Sequence, residues 1–183
     1  MASSSNVASR TSKDYWSLPD GERAELIGGV LYPIDFPNRR HQEIVGGISC
    51  AIANYIDVHK SSCKVYFAPF AVNLDACDQN WVEPDVLVVC EPAKLTDRGC
   101  EGAPDFIAEV VSPSSRKRDC ALKMCLYEDA GVREYWIVDP EAARTTVYRY
   151  EATGPMPLVY PFAAPVPMGI FGGKLEICVD ELG

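Results

Sequence analysis

Apolar positions recur along this chain with two periods, and each predicts a different element. Between Asn38 and about His59, residues Ile44, Val45, Ile48, Ala51, Ile52, Tyr55 and Ile56 return at intervals of three and four, which predicts a helix with one buried face and Asn38 as its N-cap. Within it, Gly46-Gly47 lowers intrinsic helix stability, so the pair marks either a close approach of another element or a weak point. Shorter runs read as strands: Ala24 to Tyr32 folded into a hairpin about Gly28-Gly29, Lys64 to Leu74, Trp81 to Cys90 with Val86 to Val89 buried on both faces, and Asp105 to Val111. Two more, Glu134 to Val138 and Thr145 to Tyr150, flank a turn at Asp139-Pro140-Glu141, and a last short strand covers Leu175 to Val179. A short helix starts at Thr11 with a capping-box pattern. A second long one spans Ser114 to Ala130, stopped by Gly131, with its apolar side at Ala121, Leu122, Met124, Cys125 and Leu126. Residues 91–103 and the Pro- and Gly-rich stretch 154–173 read as loop. The order predicts an α/β (α+β) fold, a mixed central β-sheet flanked by helices, in a single domain over residues 11–183 behind a disordered stretch 1–10.

One position breaks the pattern. Side chains alternate along a strand, so Asp105, Ile107, Glu109 and Val111 share one face while Phe106, Ala108 and Val110 share the other. Glu109 is thereby set among apolar neighbours, where an ionised carboxylate is costly unless something compensates it. A basic side chain would serve. So would a metal ion shared with Asp85, which opens the buried run 86–89; two converging carboxylates make a hard-oxygen site suited to Mg²⁺ or Mn²⁺ rather than zinc. Glu25 is a candidate third, water-mediated contributor. In the second long helix, Asp119, Lys123 and Tyr127 are spaced by four and stack on one face.

Composition narrows the classes. A formal net charge of -9 argues against broad, non-specific nucleic-acid binding without excluding a local basic groove. No apolar run is long enough to span a bilayer, and residues 1–11 lack the apolar core of a secretory signal, so the expectation is a cytoplasmic protein with no membrane partner. Eight cysteines without a CxxC pair read as reduced core or surface thiols ahead of a disulfide framework or a zinc site.

Several segments, in order, carry a resemblance: Glu25-Leu26-Ile27-Gly28-Gly29, Glu83-Pro84-Asp85-Val86, Pro104-Asp105 through Glu109-Val110-Val111-Ser112-Pro113-Ser114, Asp119 with Lys123 and Tyr127, and Gly131-Val132-Arg133-Glu134-Tyr135-Trp136-Ile137-Val138-Asp139. Together they resemble the Uma-type restriction endonucleases, a bacterial family similar to the PD-(D/E)XK nucleases, over about Thr11 to Gly183. The resemblance implies a restriction-endonuclease-like core and a metal-dependent endonuclease acting on DNA. In it Asp85 and Glu109 bind Mg²⁺ or Mn²⁺, Glu25 assists, and a lysine orients the attacking water. The lysine position usual in that superfamily, two residues after the glutamate, is Val111 here; Lys123 from the following helix is the substitute.

Each residue also has a plainer reading. Lys123 could be a surface lysine paired with Asp119, Asp85 a strand-end hydrogen-bonding residue and Glu25 a solvated carboxylate. His41 could face the site as an auxiliary, as could Asp119. The run Arg116, Lys117, Arg118 could touch a DNA backbone or be a solvated turn. Ser112 reads as a helix cap before a nucleophile, since no histidine follows His59. Two further readings stay open beside the nuclease: a catalytically inactive nuclease fold acting as a binding or assembly module, and a purely structural ion-pair network. A homodimer is expected if duplex DNA is cut on both strands, although no interface is legible.

Overall fold

The computed structural model describes residues 9–75, 78–150 and 156–182. Residues 1–8 of the stretch expected to be disordered therefore lie outside the described residues; Arg10 donates its amide to Gly29 O at 2.8 Å. The order is α1 (Ser12–Tyr15), β1 (Ala24–Ile27), β2 (Val30–Pro33), α2 (Arg39–Val58), β3 (Lys64–Phe67), β4 (Val72–Asn73), β5 (Trp81–Val82), β6 (Val86–Val89), β7 (Leu95–Thr96), β8 (Gly99–Glu101) and β9 (Phe106–Val110). A π-helical turn, Arg118–Lys123, then leads into α3 (Met124–Ala130), followed by β10 (Glu134–Asp139), β11 (Arg144–Arg149), β12 (Leu158–Pro161), β13 (Val166–Pro167) and β14 (Glu176–Ile177).

The central sheet runs β12-β11-β10-β9-β6-β3, with β9 and β10 parallel and the other pairs antiparallel. Alternation along β9 sorts its residues as its sequence requires. Phe106, Ala108 and Val110 pack with Ile44, Val45, Ile48 and Ile52 of α2, whereas Ile107 and Val111 pack on the opposite face with Tyr127 and with Ile27, Val72 and Val82 of a second sheet. That second sheet runs β2-β1-β5-β4-β8-β7. The central sheet is thus covered on both sides, and a charged side chain projecting from it is shut away from bulk water.

Helix α2 begins as its sequence indicates: the Asn38 side chain accepts from the His41 amide at 2.9 Å. Losing that cap should cost about 1 kcal/mol, so Asn38→Ala should lower the denaturation midpoint without changing the m-value. The Gly46-Gly47 alternative resolves as close approach, since a Cβ on Gly47 would stand 2.7 Å from Leu182 Cβ.

Five expectations are corrected. The run 64–74 is two strands in different sheets, because Pro69 between them offers no amide hydrogen to a ladder. The run 81–90 breaks at Glu83-Pro84-Asp85 for the same reason. Residues 91–103 contain the hairpin β7–β8, and residues 158–161 of the tail add β12 to the central sheet's edge. Cys63 and Cys90 form a disulfide, contrary to the reduced-thiol reading: they flank the β3–β6 register pair Lys64↔Val89, so strand pairing brings together residues separated by 27 positions in sequence. Among the described residues, no helix is long and apolar enough to cross a membrane.

Candidate active site

The β6–β9 register ends at the pair Val86↔Ala108, and Asp85 and Glu109 are the next residues along from it. The end of the ladder thus brings the two carboxylates into one neighbourhood, where the charge of Asp85 acts on Glu109. Both line one cavity of about 260 Å³, together with Glu25, His41, Arg118, Asp119 and Lys123.

Glu25 comes from β1, and the cation comes from the helix. The expected apolar side of that helix holds only in part: Met124 and Leu126 pack against the core, whereas Ala121, Leu122 and Cys125 are exposed, and the face carrying Asp119, Lys123 and Tyr127 is the buried one. The polar stripe faces inward because its partners already lie there. Lys123 Nζ sits 2.8 Å from Glu25 Oε1, 2.9 Å from Glu109 Oε1 and 3.3 Å from Asp119 Oδ1, and of these it donates a hydrogen bond to Glu109. Tyr127 donates its hydroxyl to the same Glu109 oxygen at 2.7 Å, and Tyr135 anchors the π-helical turn by donating to Asp119 O at 3.1 Å. A widened turn of this kind shifts side chains out of ordinary helical phase and is common at functional sites.

Burial pushes the Glu109 carboxyl well above the usual carboxylate range; the Lys123 charge opposes this, while Asp119, Asp85 and Glu25 reinforce it. Lys123 is held well above the ordinary lysine value, because the charges of Glu109, Glu25 and Asp119 outweigh the burial that disfavours its ammonium. Burial is the main cause at Glu109, and the surrounding negative charge adds to it; at Lys123 that same charge prevails over burial. Arg118 is a second cation at the cluster, and its contact is long at 3.4 Å to Glu25 Oε2.

Asp85 and Glu109 each keep one oxygen open. Asp85 Oδ2 accepts from the Val110 amide at 2.8 Å and lies 3.1 Å from His41 Nε2, leaving Oδ1 with no hydrogen bond among the described residues. Glu109 Oε1 is taken by Lys123 and Tyr127, leaving Oε2 likewise free. Burial disfavours the His41 imidazolium, but the hydrogen bond and charge of Asp85 prevail and raise its pKa. Glu25 is half engaged: Oε1 accepts from the Glu83 amide at 3.1 Å and lies 2.8 Å from Lys123 Nζ, whereas Oε2, like Asp119 Oδ1, is buried without a hydrogen bond among the described residues.

The basic run diverges. Arg116 is held by Asp139 and Glu141, Arg118 turns inward beneath the Tyr32 ring, and Lys117 is exposed with no described ion pair. Ser112 Oγ accepts from the Ser115 amide at 3.2 Å, as a cap does. Tyr135 and Trp136 are core residues. Asp85's contact with the Val110 amide was missed from sequence, since nothing local to Pro84-Asp85 indicates which backbone group will lie across the ladder.

Among the described residues no group of three or more His, Cys, Asp or Glu side chains is arranged to hold a metal ion. The Asp85 and Glu109 carboxylates are nevertheless a donor set of the kind Mg²⁺ or Mn²⁺ accepts, since Mg²⁺ usually keeps several waters and takes only one or two protein carboxylates alongside substrate phosphate.

Comparison with known proteins agrees with this architecture. A crystal structure titled as a putative nuclease belonging to DUF820, from Anabaena variabilis, superposes with a TM-score of 0.76 at 18% identity, covering 94% of this chain and 96% of that one, and shows the same restriction-endonuclease-like fold. The uncharacterized protein slr1290 of Synechocystis sp. is 24% identical over 140 residues, 76% of this chain and 72% of the relative. Residues 12–164 match the sequence model of the family described as Uma2, putative restriction endonuclease, and on a match of that length the chain belongs to that family.

Proposed function

We propose that this protein is a Mg²⁺- or Mn²⁺-dependent endonuclease that hydrolyses DNA phosphodiester bonds at the Asp85–Glu109 cavity. The observation that carries the reading is that Asp85 and Glu109, neighbours at the end of the β6–β9 ladder, each keep one oxygen, Oδ1 and Oε2, without a hydrogen bond among the described residues in a cavity that Glu25 and Asp119 also line. A divalent ion held there would supply charge neutralisation for the phosphorane oxygens and lower the pKa of water. The chain's own residues do the rest. The Val110 amide and His41 fix the orientation of Asp85, Tyr127 and Lys123 fix that of Glu109, and Glu25 with Asp119 holds the ammonium beside the carboxylate. Lys123, beside Glu109, would position the nucleophilic water. Arg118, and Lys117 at the surface, offer positive charge to the strand's backbone.

Purified protein with Mn²⁺ or Mg²⁺ should nick or linearise supercoiled DNA; no cleavage of supercoiled, linear, single-stranded or branched DNA would count decisively against turnover. Metal uptake carries its own signature. Since burial raises the Glu109 pKa and a ligand carboxylate must be deprotonated, Mn²⁺ binding should release protons and strengthen as pH rises through that raised value. Calorimetric titrations in buffers of different ionisation heat read this directly, and a pH-independent affinity would remove Glu109 from the ligand set. One observation favours the inactive binding module as a second reading: the Lys123 ammonium is already held among the carboxylates of Glu25, Glu109 and Asp119. Metal binding without cleavage is its outcome.

A further inference from the structure

Phe36 is the most exposed large apolar side chain among the described residues, at 96%, and it stands on the wall of the same cavity that Asp85 and Glu109 line. Burying a phenylalanine is worth roughly 1.5–3 kcal/mol, which this ring forgoes in the free protein. It is not on a slack loop. Ile34 donates its amide to Arg23 O at 3.0 Å on one side, and Asn38 caps α2 on the other, so only three residues separate the two anchors. Pro37 follows directly and restricts Phe36 to extended backbone. The ring is thereby presented at a fixed place on the rim, with Arg40 and Arg118 among the residues lining the cavity beside it.

We propose that Phe36 is a stacking platform for an unpaired nucleobase next to the phosphate bound at Asp85 and Glu109, so that the preferred substrates are DNA strands with unpaired bases at the cleavage position. This rests on the nuclease reading for the identity of the ligand. The geometry favours an unpaired base over an intact duplex, because a π-face is available to a side chain only where a base has left its stack, and an aromatic ring accepts every base type. Aromatic stacking and arginine side chains along a backbone are the combination by which single strands are held.

The test uses the full chain and a short single-stranded oligonucleotide carrying one 2-aminopurine, with a blunt duplex of the same sequence as comparison. Phe36→Ala should weaken single-strand affinity by about 5- to 150-fold, the range of one base–aromatic stack, and should abolish fluorescence quenching of the probe. Phe36→Trp should retain both, and the blunt duplex should respond little to either change. Because the ring is exposed, thermal stability and calorimetric Mn²⁺ binding should match the parent protein. Unchanged affinity and quenching in Phe36→Ala would overturn the proposal, as would a wild type that binds no single strand or a variant that changes only the oligomeric state. If Mn²⁺ binding and nicking persist in those cases, the nuclease reading survives; if wild type binds the probe through Phe36 yet never cleaves, the stacking proposal stands and catalysis does not.

Discussion

Lys123→Met is expected to destabilise the fold by about 3–5 kcal/mol and to abolish any cleavage, the magnitude following from the loss of the only cation among fully buried carboxylates. In the intact protein one ammonium contacts Glu25, Glu109 and Asp119, each almost wholly shielded from solvent. Without it, Arg118 at 3.4 Å from Glu25 is the remaining cation near the cluster, and Glu109 has only the Tyr127 hydroxyl. The pH dependence has a definite sign. Glu109 has a folded-state pKa raised above its unfolded value, so the folded chain keeps a proton that the unfolded chain has lost. Stability is then greatest in acid and falls as pH rises through the folded value. Losing Lys123 removes the main influence lowering that pKa, so the variant should fall away more steeply toward neutral pH than the parent. Adding Glu109→Gln to Lys123→Met should recover part of the loss, since a neutral amide needs no counter-ion. Chemical denaturation across pH checks all of this. A Lys123→Met protein as stable as the parent at neutral pH would mean that the cluster is already neutral without the lysine.

Asp85→Asn and Glu109→Gln should lower cleavage by at least on the order of 10²–10³-fold, the loss typical of removing one preorganised electrostatic group, and should remove Mn²⁺ binding. Their effect on stability is expected to be small. The asparagine of the first variant would keep an oxygen for the Val110 amide, and the glutamine of the second would keep one for Tyr127, while Lys123 would still hold Glu25 and Asp119. This contrast separates a working site from a structural ion-pair network. For a working site, Mn²⁺ at 100 times its Kd should stabilise the parent by about 2.7 kcal/mol and leave both variants unmoved. For a structural network, Glu109→Gln lowers the melting temperature and Mn²⁺ raises it in none of the three proteins. Thermal melts with and without Mn²⁺ distinguish the outcomes, whether or not a cleavable substrate has been found.

Helix α2, the β1–β2 hairpin, β9, β10 and β11 were legible in the sequence because each is decided by local pattern: three- and four-residue spacing with an asparagine cap, a Gly-Gly turn, or alternation between two apolar faces. The strands β7, β8 and β12 were not, since each is short and is stabilised by a neighbour's ladder rather than by its own composition. The helix after β9 shows the limit most sharply. Counting apolar residues put Ala121, Leu122 and Cys125 inside, yet they are exposed, because Lys123 finds buried charge partners on β1 and β9 that no helical count can see.

By itself, then, the sequence determined that an acidic residue would sit inside an apolar strand, that Asp85 would come just before the strand next to it, and that the motifs would follow one another in the order of the Uma2 family. Tertiary structure alone decided what compensates that residue. The β6–β9 ladder ends where Asp85 and Glu109 become neighbours, and the inward turn of the π-helical segment delivers Lys123, with Asp119 of its own turn, to Glu25 and Glu109 from two other parts of the chain. The physical reason is one of range: periodicity records which face of an element is apolar, whereas the stability of a buried charge depends on groups within a few ångströms that lie far away along the chain.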